Sequence, residues 1–148
     1  MSAPTVRLFA PDDVQAVMRM AGAEGWPSLA DSAEHTCALL ASAGSVALVA
    51  EVEGEVVGLA FGYGVGHVEG YLSELVVEAG HRRQGIARAL IEELFVHLDV
   101  ERLELLSTPE GEPFYRSFPH QRWPGYRLYR QRPIELEPAW LHGSNDAS

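Results

Sequence analysis

The sequence predicts an α/β (α+β) domain in which a single mixed, mostly antiparallel sheet is flanked by helices. Two alternating segments, residues 46–52 and 55–63, are separated only by Glu53 and Gly54, which is typical of an antiparallel hairpin. After Gly85 the apolar spacing changes from every second residue to a 3.6-residue period, which is typical of an amphipathic helix. The length of 148 residues suits one hydrophobic core.

The segments before the hairpin predict one strand and two helices. Residues 5–9 alternate and form the first strand, and Pro11 with the acids after it marks the start of a helix that reaches about residue 23. A second helix is expected over residues 32–43, where Gly44 ends it. Both helices can then pack against the sheet.

The segments after the hairpin predict a crossover back into the same sheet. Residues 68–78 form a fourth strand, in which Gly70 indicates a bulge or a close backbone approach. One face of the next helix is apolar: Ile86, Ala87, Leu90, Ile91, Leu94, Phe95 and Leu98. This helix returns the chain to a parallel fifth strand at 102–106. A short helix at 112–118 and a late strand at 126–131 complete the domain.

We assign residues 1–133 to this domain and 134–148 to a polar, partly disordered C-terminal tail. No apolar run reaches the roughly 20 residues that a membrane span needs. The N-terminus lacks a basic region followed by an apolar one, so a cytoplasmic location is expected. Cys37 is the single cysteine, which excludes an intramolecular disulfide and a cysteine-based metal site.

The charge balance points away from nucleic acid as a partner. The chain carries 21 acidic and 11 basic residues, a net charge of −10, whereas phosphate contacts need clustered cations. A cationic small molecule or peptide would be attracted to such a surface. A charge that serves only solubility remains the alternative.

The segment between the fourth strand and the following helix has the properties of an anion site. Gly85 and Ala87 keep side chains away from the first helical turn, whose free N–H groups and helix dipole favour a diphosphate. Arg82 and Arg83 add positive charge. The segment has neither the Gly-Lys-Ser/Thr of a Walker loop nor the Gly-x-Gly-x-x-Gly of a dinucleotide fold. A simple turn remains the alternative.

Two motifs resemble those of the GNAT N-acetyltransferases. The family's Arg/Gln-x-x-Gly-x-Gly/Ala motif lies between the fourth strand and the third helix, where this chain has Arg82-x-x-Gly85-x-Ala87. Downstream, Thr108 and the pair 114–115 (Phe-Tyr) match a second family motif, although Gly and Ser replace its Ala and its last Gly. The resemblance covers roughly residues 5–131.

The resemblance implies that acetyl-CoA is the co-substrate and that it lies where the fourth and fifth strands splay apart. The residues that would hold its pyrophosphate are Arg82, Arg83, Gln84, Gly85, Ile86 and Ala87. Its pantetheine arm would pair with the strand edge at Leu75, Val76 and Val77, and an N–H near Leu75 would polarise the thioester carbonyl. The implied reaction is direct transfer of acetyl to a primary amine of a small molecule or peptide, without a metal.

The resemblance also implies two proton-transfer residues. Tyr115 matches the family's general acid beside the sulfur, with a packing role as the alternative. Glu74 lies on the fourth strand, where it could accept the amine proton or hold a cationic amine; a solvated or ion-paired carboxylate is the alternative. Glu69 and Glu78 are weaker candidates. Trp26, Phe61 and Tyr63 are candidates for the acceptor pocket or for the core.

Two other functions are alternatives to the transferase. A non-catalytic acyl-CoA-binding or interaction domain of the same fold remains open. A nucleotide hydrolase or kinase is disfavoured because the chain has no lysine to place near the phosphates. A homodimer through the late strand or through Trp140 and Leu141 is left open.

Overall fold

The computed structural model describes residues 2–131 and divides into two compact units, the first ending at Leu105 and the second beginning at Leu106. The predicted tail, with Trp140 and Leu141, lies outside the described residues. The elements of the first unit are β1 (Thr5–Leu8), a 3₁₀ turn (Pro11–Asp13), α1 (Val14–Ala23), α2 (Ala33–Leu40), β2 (Ser45–Val52), β3 (Glu55–Val65), β4 (Glu69–Val77), α3 (Ile86–Leu98) and β5 (Arg102–Glu104). The second unit contains α4 (Glu112–Tyr115).

The five strands form one sheet in the order β1-β2-β3-β4-β5. The first three pairings are antiparallel, and β4 pairs with β5 in parallel. The predicted mixed, mostly antiparallel sheet is thus confirmed. The β2–β3 turn places Glu53 at φ 52° and Gly54 at φ 81°, the two positive values that a tight hairpin turn requires.

The predicted late strand at residues 126–131 is wrong. No strand is assigned in the described residues of the second unit, and β5 ends at Glu104 rather than at residue 106. Tyr126 and Leu128 are 83% and 90% exposed, so the apolar side chains of this alternating segment do not pack against the domain. An alternating pattern forms a strand only where a neighbouring strand and a buried face are available.

Helices cover both faces of the sheet in the first unit. Side chains of α1, α2 and the strands form one core cluster: Val17, Met20, Ala21, Leu29, Leu40, Ala47, Val49, Val56, Leu59, Phe61 and Val76. On the opposite face, α3 packs closely against Gly58 and Gly62. A Cβ built on Gly58 would lie 3.1 Å from Leu90 Cδ1, and one on Gly62 would lie 3.2 Å from Leu94 Cδ2.

A partly buried ion cluster connects the start of α1 to the edge of the sheet. Arg7 donates two hydrogen bonds of 2.8 Å to the Asp13 carboxylate and two, of 2.6 and 3.1 Å, to Glu51 Oε1. Asp13 also accepts the Ala10 N–H at 2.8 Å. The hydrogen bonds from Arg7 hold the pKa of Asp13 below its usual range, and this compensates for burying a carboxylate.

A bulge interrupts the β3–β4 ladder. Phe61 lies opposite Glu74 and Gly62 lies opposite Leu72, so Ser73 has no opposite residue. Of the two interpretations of Gly70, the structure supports the close backbone approach, since a Cβ there would lie 3.1 Å from the Tyr63 carbonyl. The bulge itself lies three residues further along β4.

No described helix combines the length and the apolar character that crossing a bilayer requires.

Gly62→Ala is expected to lower the free energy of unfolding by about 1–3 kcal/mol, because an added Cβ would lie 2.6 Å from the Tyr71 carbonyl oxygen, which the ladder holds in place. Urea denaturation measures the change. Gly22→Ala is the control: nothing lies within 4 Å of its Cβ position in α1, so its stability should stay within about 1 kcal/mol or rise. Equal stability of the two variants would contradict this packing.

Candidate active site

One edge of β4 is open over most of its length. β5 pairs only with Glu69, Gly70 and Tyr71, and within the described chain no strand covers the β5 side of residues 72–77. The predicted splay of the fourth and fifth strands is therefore confirmed. An uncovered strand edge offers main-chain N–H and C=O groups to an extended ligand.

The β3–β4 ladder determines which backbone groups reach this edge. The Glu78 N–H donates to the Val57 carbonyl at 2.8 Å, so alternate residues of β4 bond to β3. The alternation directs the N–H and C=O of Leu75 and Val77 to the open edge, and those of Val76 to β3. Two of the three residues predicted for the pantetheine arm, Leu75 and Val77, thus present their backbone to the open edge of β4. The Val76 side chain packs in the core.

The loop before α3 has the open geometry that an anion needs. Gly85, at φ 80°, is the N-cap of α3, and no side chain caps the helix. The first intrahelical bond runs from the Ala89 N–H to the Gly85 carbonyl at 3.0 Å, so the N–H groups of Ile86 and Ala87 precede the helical ladder. A Cβ built on Gly85 would meet nothing within 4 Å, which leaves space for a ligand.

The Arg82 side chain is held by two partners within the protein. Its guanidinium forms an ion pair with Glu24 and donates from Nε to the Val77 carbonyl at 3.1 Å. Arg19 lies beside it and pairs with Glu78 at 3.3 Å. These contacts fix the loop to the end of α1. No local sequence pattern indicates Glu24 as a partner of Arg82, since the two residues lie 58 positions apart in the chain.

A cavity of about 380 Å³ lies between the end of α1 and the end of β4. Its lining residues are Arg19, Met20, Ala23, Glu24, Val76, Glu78, Ala79 and Arg82. The two ion pairs form its polar wall, and Met20, Ala23 and Val76 form its apolar wall. The cavity therefore adjoins the predicted phosphate loop, and it includes Val76 and Arg82 of the predicted residues.

Glu74 lies on the α1/α2 face of the sheet, directly after the bulge. It is half-buried, and its strand partner is Phe61. Phe61 and Trp26 belong to the core or pack against it, whereas Tyr63 is 46% exposed. Of the three aromatic residues predicted for an acceptor pocket, Tyr63 is the most exposed, Trp26 is partly buried and Phe61 is buried.

The second unit contains Tyr115 at the end of α4, which is shorter than the predicted helix at 112–118. Burial raises the pKa of the Tyr115 hydroxyl to about 12, so the phenol stays protonated at neutral pH. Its neighbour Phe114 has its ring centroid 5.1 Å away. Gly111 fits where the family has Ala, because a Cβ there would lie 3.0 Å from Ser107 Oγ. A protonated phenol can donate a proton to a leaving group.

No cluster of three or more His, Cys, Asp or Glu side chains among residues 2–131 could hold a metal ion.

Comparison with known proteins agrees with this geometry. The family model described as the acetyltransferase (GNAT) domain matches residues 43–118, which contain β3, β4, α3 and α4. A search of curated proteins returned no significant match.

Solved acetyltransferases share the fold. The ribosomal-protein-alanine N-acetyltransferase of Brucella melitensis biovar Abortus 2308 is 22% identical, with a TM-score of 0.69 over 86% of this chain and 99% of that one. An aminoglycoside acetyltransferase from an uncultured soil metagenomic sample is 24% identical, with a TM-score of 0.62 over 90% of this chain and 99% of that one. The glucosamine-6-phosphate N-acetyltransferase of Arabidopsis thaliana is 13% identical, with a TM-score of 0.68 over 86% and 99% of the two chains.

At these identities the structural likeness establishes the fold alone, whereas the matched family model spans the open strand edge and the glycine-containing loop. The chain therefore belongs to the GNAT acetyltransferase family.

Proposed function

We propose that this protein transfers an acetyl group from acetyl-CoA directly to a primary amine. The observation that carries the proposal is the continuous path from the open edge of β4 to the uncapped N-terminus of α3. The first part suits an extended amide-containing arm, and the second suits a diphosphate. Similar folds named for aminoglycoside and ribosomal-protein-alanine acetylation support an amine as the acceptor.

The residues present fit coenzyme A. The first turn of α3 offers the N–H groups of Ile86 and Ala87, and the left-handed Gly85 leaves the approach clear. The other residues proposed to hold the diphosphate are Arg82, Arg83 and Gln84. Arg83 is exposed and can contact an anion, whereas Arg82 contributes by fixing the loop to Glu24 and Val77. The backbone groups of Leu75 and Val77 are positioned to pair with the pantetheine amides.

Acetyl-CoA supplies the acetyl group as a thioester, which is activated toward attack by an amine. The Leu75 N–H faces the open edge, where it can donate to the thioester carbonyl oxygen and stabilise the negative charge that develops there. Val76 is the third residue proposed for this strand segment. Its side chain packs in the core and its backbone bonds to β3, so it holds the edge in place rather than contacting the ligand.

The transfer needs two proton movements, and we assign one residue to each. Glu74 is the residue before Leu75, so its carboxylate lies close to the proposed position of the reacting amine and can accept the ammonium proton directly or through water. Tyr115 is the proposed donor to the departing thiolate. Its raised pKa keeps this proton on the phenol throughout the neutral range.

Tyr115→Phe is expected to lower kcat by about 10²-fold with little change in acetyl-CoA affinity, since the variant removes only the donated proton. Release of the coenzyme A thiol with a panel of primary amines measures the rate and also tests the proposed function itself. Tyr126→Phe, at an 83% exposed position of the same unit, should match wild type. A kcat of Tyr115→Phe within twofold of wild type would remove Tyr115 from this role.

Gly85→Glu is expected to weaken acetyl-CoA binding by about 100-fold or more, because it places bulk and negative charge where the diphosphate would lie. Calorimetric titration measures the affinity. Gly44→Glu is the matched control: it has a similar φ of 78° and an equally open Cβ position, but it lies in the turn before β2. Unchanged affinity in a folded Gly85→Glu protein would contradict the loop assignment.

A further inference from the structure

Two tyrosines stack on the sheet face that also carries Glu74. Tyr63 of β3 lies opposite Tyr71 of β4, with ring centroids 5.5 Å apart and planes inclined at 23°. Side chains two residues apart share a strand face, so Tyr63 lies on the face of Phe61, whose strand partner is Glu74. Tyr63 is 46% exposed, and the stack therefore presents aromatic surface to solvent rather than only filling the core.

The stack lies where the sheet opens. Tyr71 is the last residue of β4 that pairs with β5, opposite Glu104. After Leu72, the chain continues into the Ser73 bulge, Glu74 and Leu75. An amine that approaches the Leu75 N–H across this face meets both Glu74 and the aromatic pair. The two features are separated by roughly 7 Å, the rise of two residues along β3 from Phe61 to Tyr63.

The charges around the stack favour a cation. Arg102 donates to Glu104 at 3.1 Å and to Glu69 at 3.4 Å. Glu104 lies opposite Tyr71 and Arg102 lies opposite Glu69, and these three charged residues together carry one net negative charge. Glu74 adds a third carboxylate on the same face. Aromatic ring faces attract ammonium groups, and the surrounding carboxylates strengthen that preference and disfavour anions.

We propose that Tyr63 and Tyr71 determine acceptor specificity by holding the second ammonium group of a short diamine, while Glu74 receives the amine that is acylated. The inference rests on the proposed function and names its substrate class. In the reaction one C–N bond forms and one C–S bond breaks. The ammonium nitrogen gives up two protons. One leaves to solvent through Glu74, and the other balances the proton that the thiolate gains, so no further reactant is needed.

The test compares 1,5-diaminopentane with n-pentylamine, which has the same chain and lacks the second charge. Thiol release from acetyl-CoA gives KM and kcat, and calorimetry measures binding of each amine independently of turnover. Wild type should have a KM for the diamine at least about tenfold below that for the monoamine. Tyr63→Leu should lose this preference through a higher diamine KM with little change in kcat, whereas Tyr63→Phe, which keeps the ring, should retain it.

Each outcome separates this inference from the proposed function. Equal KM values for the two amines in wild type, or an unchanged preference in folded Tyr63→Leu, would overturn the specificity role and leave the transferase in place. Preferential binding of the diamine without thiol release would support the aromatic site and overturn the proposed function. Absence of diamine binding by calorimetry would overturn the inference directly. Because Tyr63 is largely exposed, the Tyr63→Leu protein is expected to fold.

Discussion

The unequal pairing of β4 is the constraint on which the site depends. β4 pairs with β3 from Glu69 to Val77 except at Ser73, but with β5 through only three residues, so its other edge stays open from Leu72 onward. The bulge at Ser73 changes the register at the same place and puts Glu74 on the α1/α2 face while Leu75 directs its backbone to the cleft. Because every buried main-chain group needs a partner, such an edge persists where a ligand or solvent satisfies it.

The charged side chains around the loop before α3 have separate roles. In a chain of net charge −10, Arg82 is neutralised by Glu24 and bound to the end of β4, so its main effect is to fix the loop against α1. Attraction for an anion is left to the N-terminus of α3 and the exposed Arg83. Near Glu74, the carboxylates and the stacked Tyr63 and Tyr71 favour a cation instead of an anion. The proposed donor is thus polyanionic and the proposed acceptor cationic.

Local patterns predicted most of the fold, and non-local contacts account for what they missed. The hairpin around Glu53 and Gly54, the amphipathic α3 and the glycine loop all depend on residues close in sequence, and each was predicted. The position of the bulge, the early end of β5 and the Arg82–Glu24 pair depend on segments that meet only in the folded sheet. The late strand failed for the same reason, since alternation around Tyr126 does not reveal whether a pairing partner exists.

The most direct test of the central claim is a calorimetric titration of the wild-type protein with acetyl-CoA, with ATP and NADH as controls. The open β4 edge and the α3 N-terminus together predict micromolar binding of acetyl-CoA and no comparable binding of the two nucleotides, which lack the pantetheine arm. Binding of acetyl-CoA, ATP and NADH with similar affinity would show that the loop before α3 binds phosphate groups without specificity for coenzyme A. No binding of acetyl-CoA would contradict the assignment of the cleft and leave the fold without its proposed donor.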